Sequence, residues 1–525
     1  MSEARLWTGG RVFTGRRYVE AVLVDQGAVV AAGTDAEVRQ AAPTGTEVVP
    51  LEGRLVLPGL IDAHLHVSDL ARFREGLNLT DVRGQDDLEQ KVREWGAARP
   101  TGPIVGRGLD VDRSLGGHWP QRTDLDRAVD DRPVVLYHTS GHAVVVNSFV
   151  LSALAVGSRN LEELQGRVGR ASDASPNGIL YEEALRWLAP LISVPTEPGE
   201  VVSTLRALAS LGLTTVASMN VPPEDLAILR ALATDDRLPI RVRVYLRLLR
   251  VSEIRPNELA PAGRPGRFAV VGAKGFTDGA FGPRTAWLSQ PYTDAPEGSG
   301  LAVESEKTLS SALATANELG LAPALHAIGD RAVVRAAHLL APYVRREGAS
   351  ARIEHVGLTP PPVLSVLDGL RPALVVQPGF VWSDYWLPER LGPERARWAY
   401  AFRTLADLGH HLVGSSDAPY DPPDPWRGLR AATERRDELG RSANPDPRQA
   451  LAFEEAARLY GSNAGAALGE GSLGSLEVGS TADLVVVDAR SLREAIRAGA
   501  TAVRETWVDG VRVFDARASD PRGSG

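Results

Sequence analysis

LVLPGLIDAHLHV, residues 55 to 67, is an apolar run that ends in Asp62, His64 and His66. Alternate residues of a strand face the same way, so the two imidazoles point together. Neutral imidazole is the commonest nitrogen ligand for zinc and similar ions, and a pair on one rigid strand needs roughly two or three more donors to complete a site. The plain alternative is two histidines at a strand end with no role. The rest of the chain decides between them.

Downstream, apolar strand-like runs alternate with helical stretches. The runs are LTTVASM (213–219), FAVVGAKGF (268–276), LAPALHAIG (321–329), ARIEHVG (351–357), PALVVQPGF (372–380) and HLVGSSDAP (411–419). Between them, TLSSALATANELG (308–320) places Leu309, Ala312, Leu313, Ala316 and Leu319 at helical spacing, with Gly320 set to end the helix. Strand, helix, strand in repetition predicts a parallel sheet, and about eight such units predict an α/β fold of the (β/α)8 TIM-barrel type over residues 58–473. Two insertions interrupt it. Residues of about 85–200 hold RPVVLYHTSGHAVVVN and a helix around EEALRWLAPL, and 380–400 holds FVWSDYWLPERLGPERARWAY. Long loops of this kind on a barrel shape the substrate pocket.

The two ends read alike, as short strands with glycine turns. Residues 1–57 give ARLWTGGRVFTG, YVEAVLVDQGAVVAAG and TEVVPLEGRLVLPG, and residues 474–517 give STADLVVVDA (480–489) and VRETWVDGVRVFDA (503–516). A few strands from either end alone bury too little to stand, so the ends are expected to build one small composite β-sandwich domain together. Residues 518–525 are expected to form a disordered tail.

A net charge of −8 and the lack of a basic block argue against a nucleic-acid partner. No basic region followed by an apolar core opens the chain, and no apolar run approaches the roughly 18 residues of a membrane span, so a cytoplasmic protein without a membrane partner is expected. The absence of cysteine excludes disulfides and thiolate ligands. A metal site here must use histidine, carboxylate or modified lysine. Of the 58 basic residues only Lys91, Lys274 and Lys307 are lysine. A lysine kept inside a strand therefore calls for a reason.

His64 and His66 close the first barrel strand, Lys274 lies in the fourth, and His326, His355 and Asp417 end the fifth, sixth and eighth. Strand C-terminal ends are where a barrel places its chemistry. Each residue has a plain reading: His326 as a core histidine, Asp417 as a cap of SSDAPYDPP, His355 and Glu354 as a surface ion pair, Lys274 as an amine salt-bridged to Asp278. Taken together, on one rim, they read as a metal centre. A lysine buried among metal ions loses its proton, and the neutral amine can take up carbon dioxide to give a carbamate that bridges two metals, which arginine cannot do.

The chain resembles the metal-dependent amidohydrolase superfamily, and more closely the amidohydrolase-3 or YtcJ-like branch that includes N-substituted formamide deformylases. The resemblance runs through PGLIDAHLH (58–66), RPVVLYHTSGHAVVVNS (132–148), PNGILYEEA (176–184), AKGFTDGAFGPRTAWL (273–288), HAIGDRAV (326–333), RIEHV (352–356), VVQPGFVWSD (375–384), GSSDAPYDPPDP (414–425) and GSLEVGSTADLVVVD (474–488). It implies a barrel with a composite β-sandwich, one or two divalent metal ions, zinc first among them, and hydrolysis of an amide-like C–N bond of a small molecule. Carried over by position, His64, His66, Lys274, His326, His355 and Asp417 are the centre, with Glu182 as the alternative bridging ligand. Ser140 stands where the family usually has Asp before Gly-His, and Pro283 where it has Ser. Those departures bear on substrate preference.

In the mechanism this implies, a metal-bound water loses its proton near neutral pH, and Asp417 takes that proton and delivers it to the departing amine. His142 and Arg284 are candidates for the substrate's polar end, and Trp382, Tyr385 and Trp386 for a wall against an apolar substituent. The rival functions are hydrolysis of a cyclic amide, carbamate or ester, and a non-catalytic metal-binding regulatory protein on the same barrel. GEGSLG (469–474) matches GxGxxG but follows a helical stretch and precedes a strand, the reverse of a nucleotide-binding context. His118, His138, His338, His410 and His411 receive no role, and the oligomeric state, a homodimer included, is left open.

Overall fold

The computed structural model describes residues 4–154, 167–192, 196–344 and 351–518. Eight strands form one sheet: β1 (Leu60–Leu65), β2 (Leu213–Val221), β3 (Arg241–Arg247), β4 (Phe268–Phe276), β5 (Ala322–Ala327), β6 (Arg352–His355), β7 (Ala373–Val376) and β8 (Leu412–Gly414). Each pairs with its successor in parallel. The free ends of this ladder are drawn together just past β8. Asp417 N–H donates to His64 O and His66 N–H to Ala418 O, both at 2.8 Å, and Ser416 N–H donates to Asp62 Oδ1 at 3.1 Å. The barrel is thereby nearly closed, and the seam sets Asp417 against the histidine pair. A buried cluster of Ile61, Ala217, Met219, Tyr245, Ala324, Val375 and Val413 draws on six of the strands, which only a ring can bring together.

Parallel strands need crossovers, and helices supply them. The helix expected over 308–320 runs Glu306–Glu318, its first turn capped by Ser305 Oγ accepting from Thr308 N–H at 3.1 Å. Leu309, Leu313 and Ala316 are buried, Ala312 and Leu319 pack at the edge, and Gly320 takes φ +75° to end it. Burying each leucine stabilises by about 1.5–3 kcal/mol before ordering entropy is subtracted.

The chain ends form two sheets. In spatial order one has Ala28–Gly33, Ala21–Asp25, Arg5–Thr8 and Glu47–Pro50; the other has Val511–Asp515, Val503–Val508, Leu484–Val487, Leu55–Pro58, Arg11–Phe13 and Tyr18–Val19. The LVLP of the opening motif thus pairs with the far end of the chain, Leu55 opposite Val487, before GLIDAHL enters the barrel. One core joins the two sheets: Trp7, Val22 and Val24 from the first meet Val56, Leu484 and Trp507 from the second, with the Trp7 and Trp507 rings edge to face at 5.2 Å. Arg241 at the start of β3 ties this layer to the barrel through a two-pronged bond to buried Asp483, at 2.8 and 3.0 Å.

The first insertion is more than loops. Leu77–Asn78, Ile104–Leu109, Val134–His138, Ala143–Val146, Pro176–Tyr181 and Val168–Arg170 make a six-stranded sheet apolar on both faces. Val134 and Leu136 pack one way and Val135 the other, which is why RPVVLYHTSGHAVVVN is apolar without alternation. Its hairpin between Val134–His138 and Ala143–Val146 carries Ser140 and His142 at the turn. Residues 155–166 and 193–195 of that insertion, and all but the first residue of the expected C-terminal tail, lie outside the described residues. The second insertion folds into the short helices Phe380–Ser383, Leu387–Leu391 and Pro393–Ala396. Among the described residues no helix is long and apolar enough to cross a membrane.

Candidate metal centre

His64 and His66 leave the end of β1 with both rings aimed at Asp417. His64 Nε2 lies 3.1 Å and His66 Nε2 3.2 Å from Asp417 Oδ1. His326 and His355 end β5 and β6 on the same rim, their ring centroids 4.4 Å apart, and His355 is 4.9 Å from His64. One ligand atom each from His64, His355 and Asp417 falls within 4.8 Å of the others. Asp417 lies three residues past β8, so the loop rather than the strand presents it. His355 and Asp417 both hold positive φ, 75° and 61°, a region that side chains seldom occupy unless surrounding structure imposes it.

Three of the four rings have one nitrogen tied down and the other left for a ligand. His64 Nδ1 donates to Glu354 Oε2 at 2.6 Å, His355 Nδ1 to Gln377 Oε1 at 2.8 Å, and His326 Nε2 to Gly279 O at 3.0 Å. Gln377 is itself fixed by donating to Ser415 Oγ at 3.0 Å. Burial disfavours the charged imidazole: His355 is pushed down to about 3, His326 well below its ordinary value, and His66 also down. His64 moves the other way, because Asp417 and Glu354 on either side outweigh its burial. Burial would raise Asp417, but His64 and His66 hold it well below the usual carboxylate range.

These facts test whether a divalent cation fits. Arg352, buried with Glu354, overcomes the effect of burial and keeps Glu354 ionised, so Glu354 can only accept and His64 Nδ1 carries the proton. The lone pair of His64 Nε2 then faces a carboxylate oxygen at 3.1 Å, and that buried nitrogen makes no well-formed hydrogen bond. Two lone pairs so placed require a second proton on the ring or a cation between them. The donor set, imidazole and carboxylate without sulfur, suits zinc and similar divalent ions.

Lys274 on β4 is buried and lies 4.1 Å from the Phe276 ring centroid. It is not paired with Asp278, whose carboxylate instead accepts the backbone N–H groups of Trp287, Ile328 and Gly329 at 2.8–3.0 Å. Burial lowers the Lys274 amine to about 8. Glu182 reaches the same cavity from the insertion sheet, at φ 49°, accepting from His142 Nδ1 at 2.9 Å with its Oε1 buried and unpartnered. Gly279 makes room for it, since a Cβ there would lie 2.0 Å from that oxygen. His142 in turn sits 4.9 Å from His326.

Two lobes open around the cluster, of about 580 and 750 Å³, and meet at Ser140, His142, His326, Asp417 and Tyr420. The smaller holds Lys274, Glu182, Arg107 and Arg247. The larger is walled by Trp382, Tyr385 and Trp386, which lie under Arg427, Arg441 and Arg390, and Trp382 and Trp386 also pack on the apolar core. Arg284 borders neither lobe; it is held by Asp294, at 2.6 Å. His138, given no role by the sequence, lines the larger lobe, stacked on Trp119 at 5.0 Å and bonded through Nδ1 to Ser140 Oγ at 2.8 Å. Arg352, Glu354 and Gln377, which orient the rings, were also missed. Period-two alternation in RIEH could have signalled Glu354, since it puts Glu354 and His355 on opposite faces.

Comparison with known proteins agrees with this geometry. Residues 47–514 match the model of the amidohydrolase family. The putative amidohydrolase YtcJ of Bacillus subtilis (strain 168) is 29% identical over 504 residues, covering 92% of this chain and 94% of that protein. The N-substituted formamide deformylase of Arthrobacter pascens is 25% identical over 527 residues, covering 95% and 96%. An uncharacterized metal-dependent hydrolase from Pyrococcus horikoshii OT3 has a TM-score of 0.75 at 28% identity, covering 94% of this chain and 99% of that one. With a family match that takes in the barrel and strands from both chain ends, the chain belongs to the amidohydrolase family.

Proposed function

We propose that the protein is a metal-dependent hydrolase that cleaves the C–N bond of an amide-like small molecule, an N-substituted formamide or a related amide. The observation that carries this reading is the buried His64 Nε2 facing Asp417 Oδ1 with its other nitrogen committed to Glu354. In this reading His64, His66, His326, His355 and Asp417 would hold a divalent metal, zinc by its donor preference, and a carboxylated Lys274 would add an anionic ligand for a second ion. When bound, the metal supplies a Lewis acid for the substrate carbonyl and a water activated near neutral pH.

The side chains do the rest. Asp417, kept ionised by the imidazoles around it, takes a proton on its carboxylate as water adds to the carbonyl carbon, and passes it to the amide nitrogen, which leaves as a neutral amine. Glu354, Gln377 and the Gly279 carbonyl keep the rings in one tautomer. The Lys274 amine, at about 8, is partly neutral at physiological pH; adding carbon dioxide to it forms an N–C bond and releases one proton, leaving an anionic carbamate.

The experiment is metal content per chain, by elemental mass spectrometry on protein grown with zinc and bicarbonate and purified without chelator. About two ions per chain are expected, falling to about one or none in Lys274→Ala; chelation should abolish amide hydrolysis and zinc restore it. About one ion in the native protein would remove the bridging role of Lys274 and leave a mononuclear hydrolase. Essentially none after remetallation would sink the reading.

A further inference from the structure

The smaller lobe carries positive charge that its carboxylates do not balance. Arg247 ends β3 opposite Lys274 in the ladder, half-buried, and among the described residues its side chain makes one hydrogen bond, from Nε to Asn220 Oδ1 at 3.3 Å. Arg107, on the insertion strand Ile104–Leu109, lies over the Tyr137 ring, 4.4 Å from its centroid. Among the described residues neither stands within ion-pair distance of a carboxylate. Asp69 is the anion both feel through space, and it is already engaged by Arg72 at 3.1 Å, which also pairs with Asp225 at 2.7 Å. Three guanidiniums against two carboxylates leave one positive charge over. The lobe's remaining carboxylates are taken: Glu182 by His142, Glu183 by Arg167, Glu304 by Arg186, and Asp417 by His64 and His66.

Arginine does not shed its proton when buried, so the surplus charge stays until an anion meets it. Two guanidiniums offer planar donor forks that match the lone pairs of a carboxylate, and partial burial strengthens the contact. The opposite lobe is walled by aromatic rings, and its half-buried Asp384 accepts from the Tyr400 hydroxyl. The cleft is thus bipolar about the histidine cluster.

We infer that the substrate carries a carboxylate on the substituent that enters the smaller lobe, where Arg107 and Arg247 bind it, while its apolar substituent lies against Trp382, Tyr385 and Trp386. The substrate class is then an N-acylated amino acid or a similar amide acid rather than a wholly neutral formamide. This rests on the hydrolase reading above.

The test compares N-formylphenylalanine with its uncharged primary amide, using the metal-loaded protein. In the wild type the acid is expected to exceed the amide by about tenfold or more in kcat/KM, by an advantage that shrinks with added salt. In Arg107→Gln and Arg247→Gln that ratio should collapse towards one, and Arg247→Lys should restore part of it, which a folding defect would not do. Equal handling of acid and amide by the wild type, or an acid preference that persists in both glutamine variants, overturns the proposal. If neither compound is cleaved, the hydrolase reading fails for them, and calorimetric binding of the same pair decides recognition separately. A tenfold preference for the acid that both variants lose supports it; equal binding, or none, overturns it.

Discussion

Asp417→Asn is expected to lower kcat/KM by about 100- to 10,000-fold, the range a positioned proton carrier contributes, while the protein stays folded. Asparagine is the informative replacement because Asp417 sits at φ 61°, and Asn shares with Asp the ability to adopt the left-handed region at little cost. The backbone N–H that closes the barrel seam onto His64 O is untouched. What changes is the basic oxygen: an amide cannot take up a proton near neutral pH, and it is a poorer ligand between His64 and His66. Metal content must therefore be measured beside turnover, with zinc in excess. Loss of turnover in metal-replete protein assigns the proton transfer to the carboxylate; loss that follows loss of metal assigns Asp417 to holding the ion. Full turnover in the variant would remove it from both roles.

The barrel was legible because parallel strands and crossover helices impose distinct periods, and because strand-end histidines at barrel spacing have few other uses. His64, His66, His326, His355 and Asp417 do converge, and Lys274 and Glu182 reach the same cavity. The insertion sheet was not legible: RPVVLYHTSGHAVVVN is apolar on both faces, and such a run carries no period that separates strand from buried loop. Arg284 came from a motif, and a motif does not say that a guanidinium will turn to Asp294. Arg107 and Arg247 were invisible for the opposite reason, since in a chain so rich in arginine nothing in the sequence marks which guanidiniums line the cavity without a carboxylate partner. The plain alternative for His355 paired it with Glu354 at the surface, and the structure instead buries both and gives Glu354 to His64.

That buried network predicts the second large effect. Arg352→Met is expected to destabilise the protein by about 3–5 kcal/mol, because it leaves Glu354 charged and uncompensated in the barrel. Both side chains are fully buried; Arg352 also donates to Ala63 O at 2.6 Å and to the Tyr245 hydroxyl at 3.1 Å, so every prong of the guanidinium is used. The double variant Arg352→Met/Glu354→Leu separates two roles that the single one confounds. Removing both charges should recover much of the lost stability, since an apolar pair of similar volume is often as good as a buried ion pair. It should not recover the metal: without Glu354, His64 Nδ1 has no acceptor to fix its tautomer, and affinity for zinc is expected to stay about 10- to 100-fold below the wild type. Thermal unfolding reads the first quantity and metal titration the second. A double variant that binds zinc as tightly as the wild type would mean that Glu354 is there to neutralise Arg352 and not to orient His64. A loss of less than about 1 kcal/mol in Arg352→Met would mean that Glu354 is not held ionised in the barrel, and with that the argument for a cation at His64 Nε2 would lose its premise.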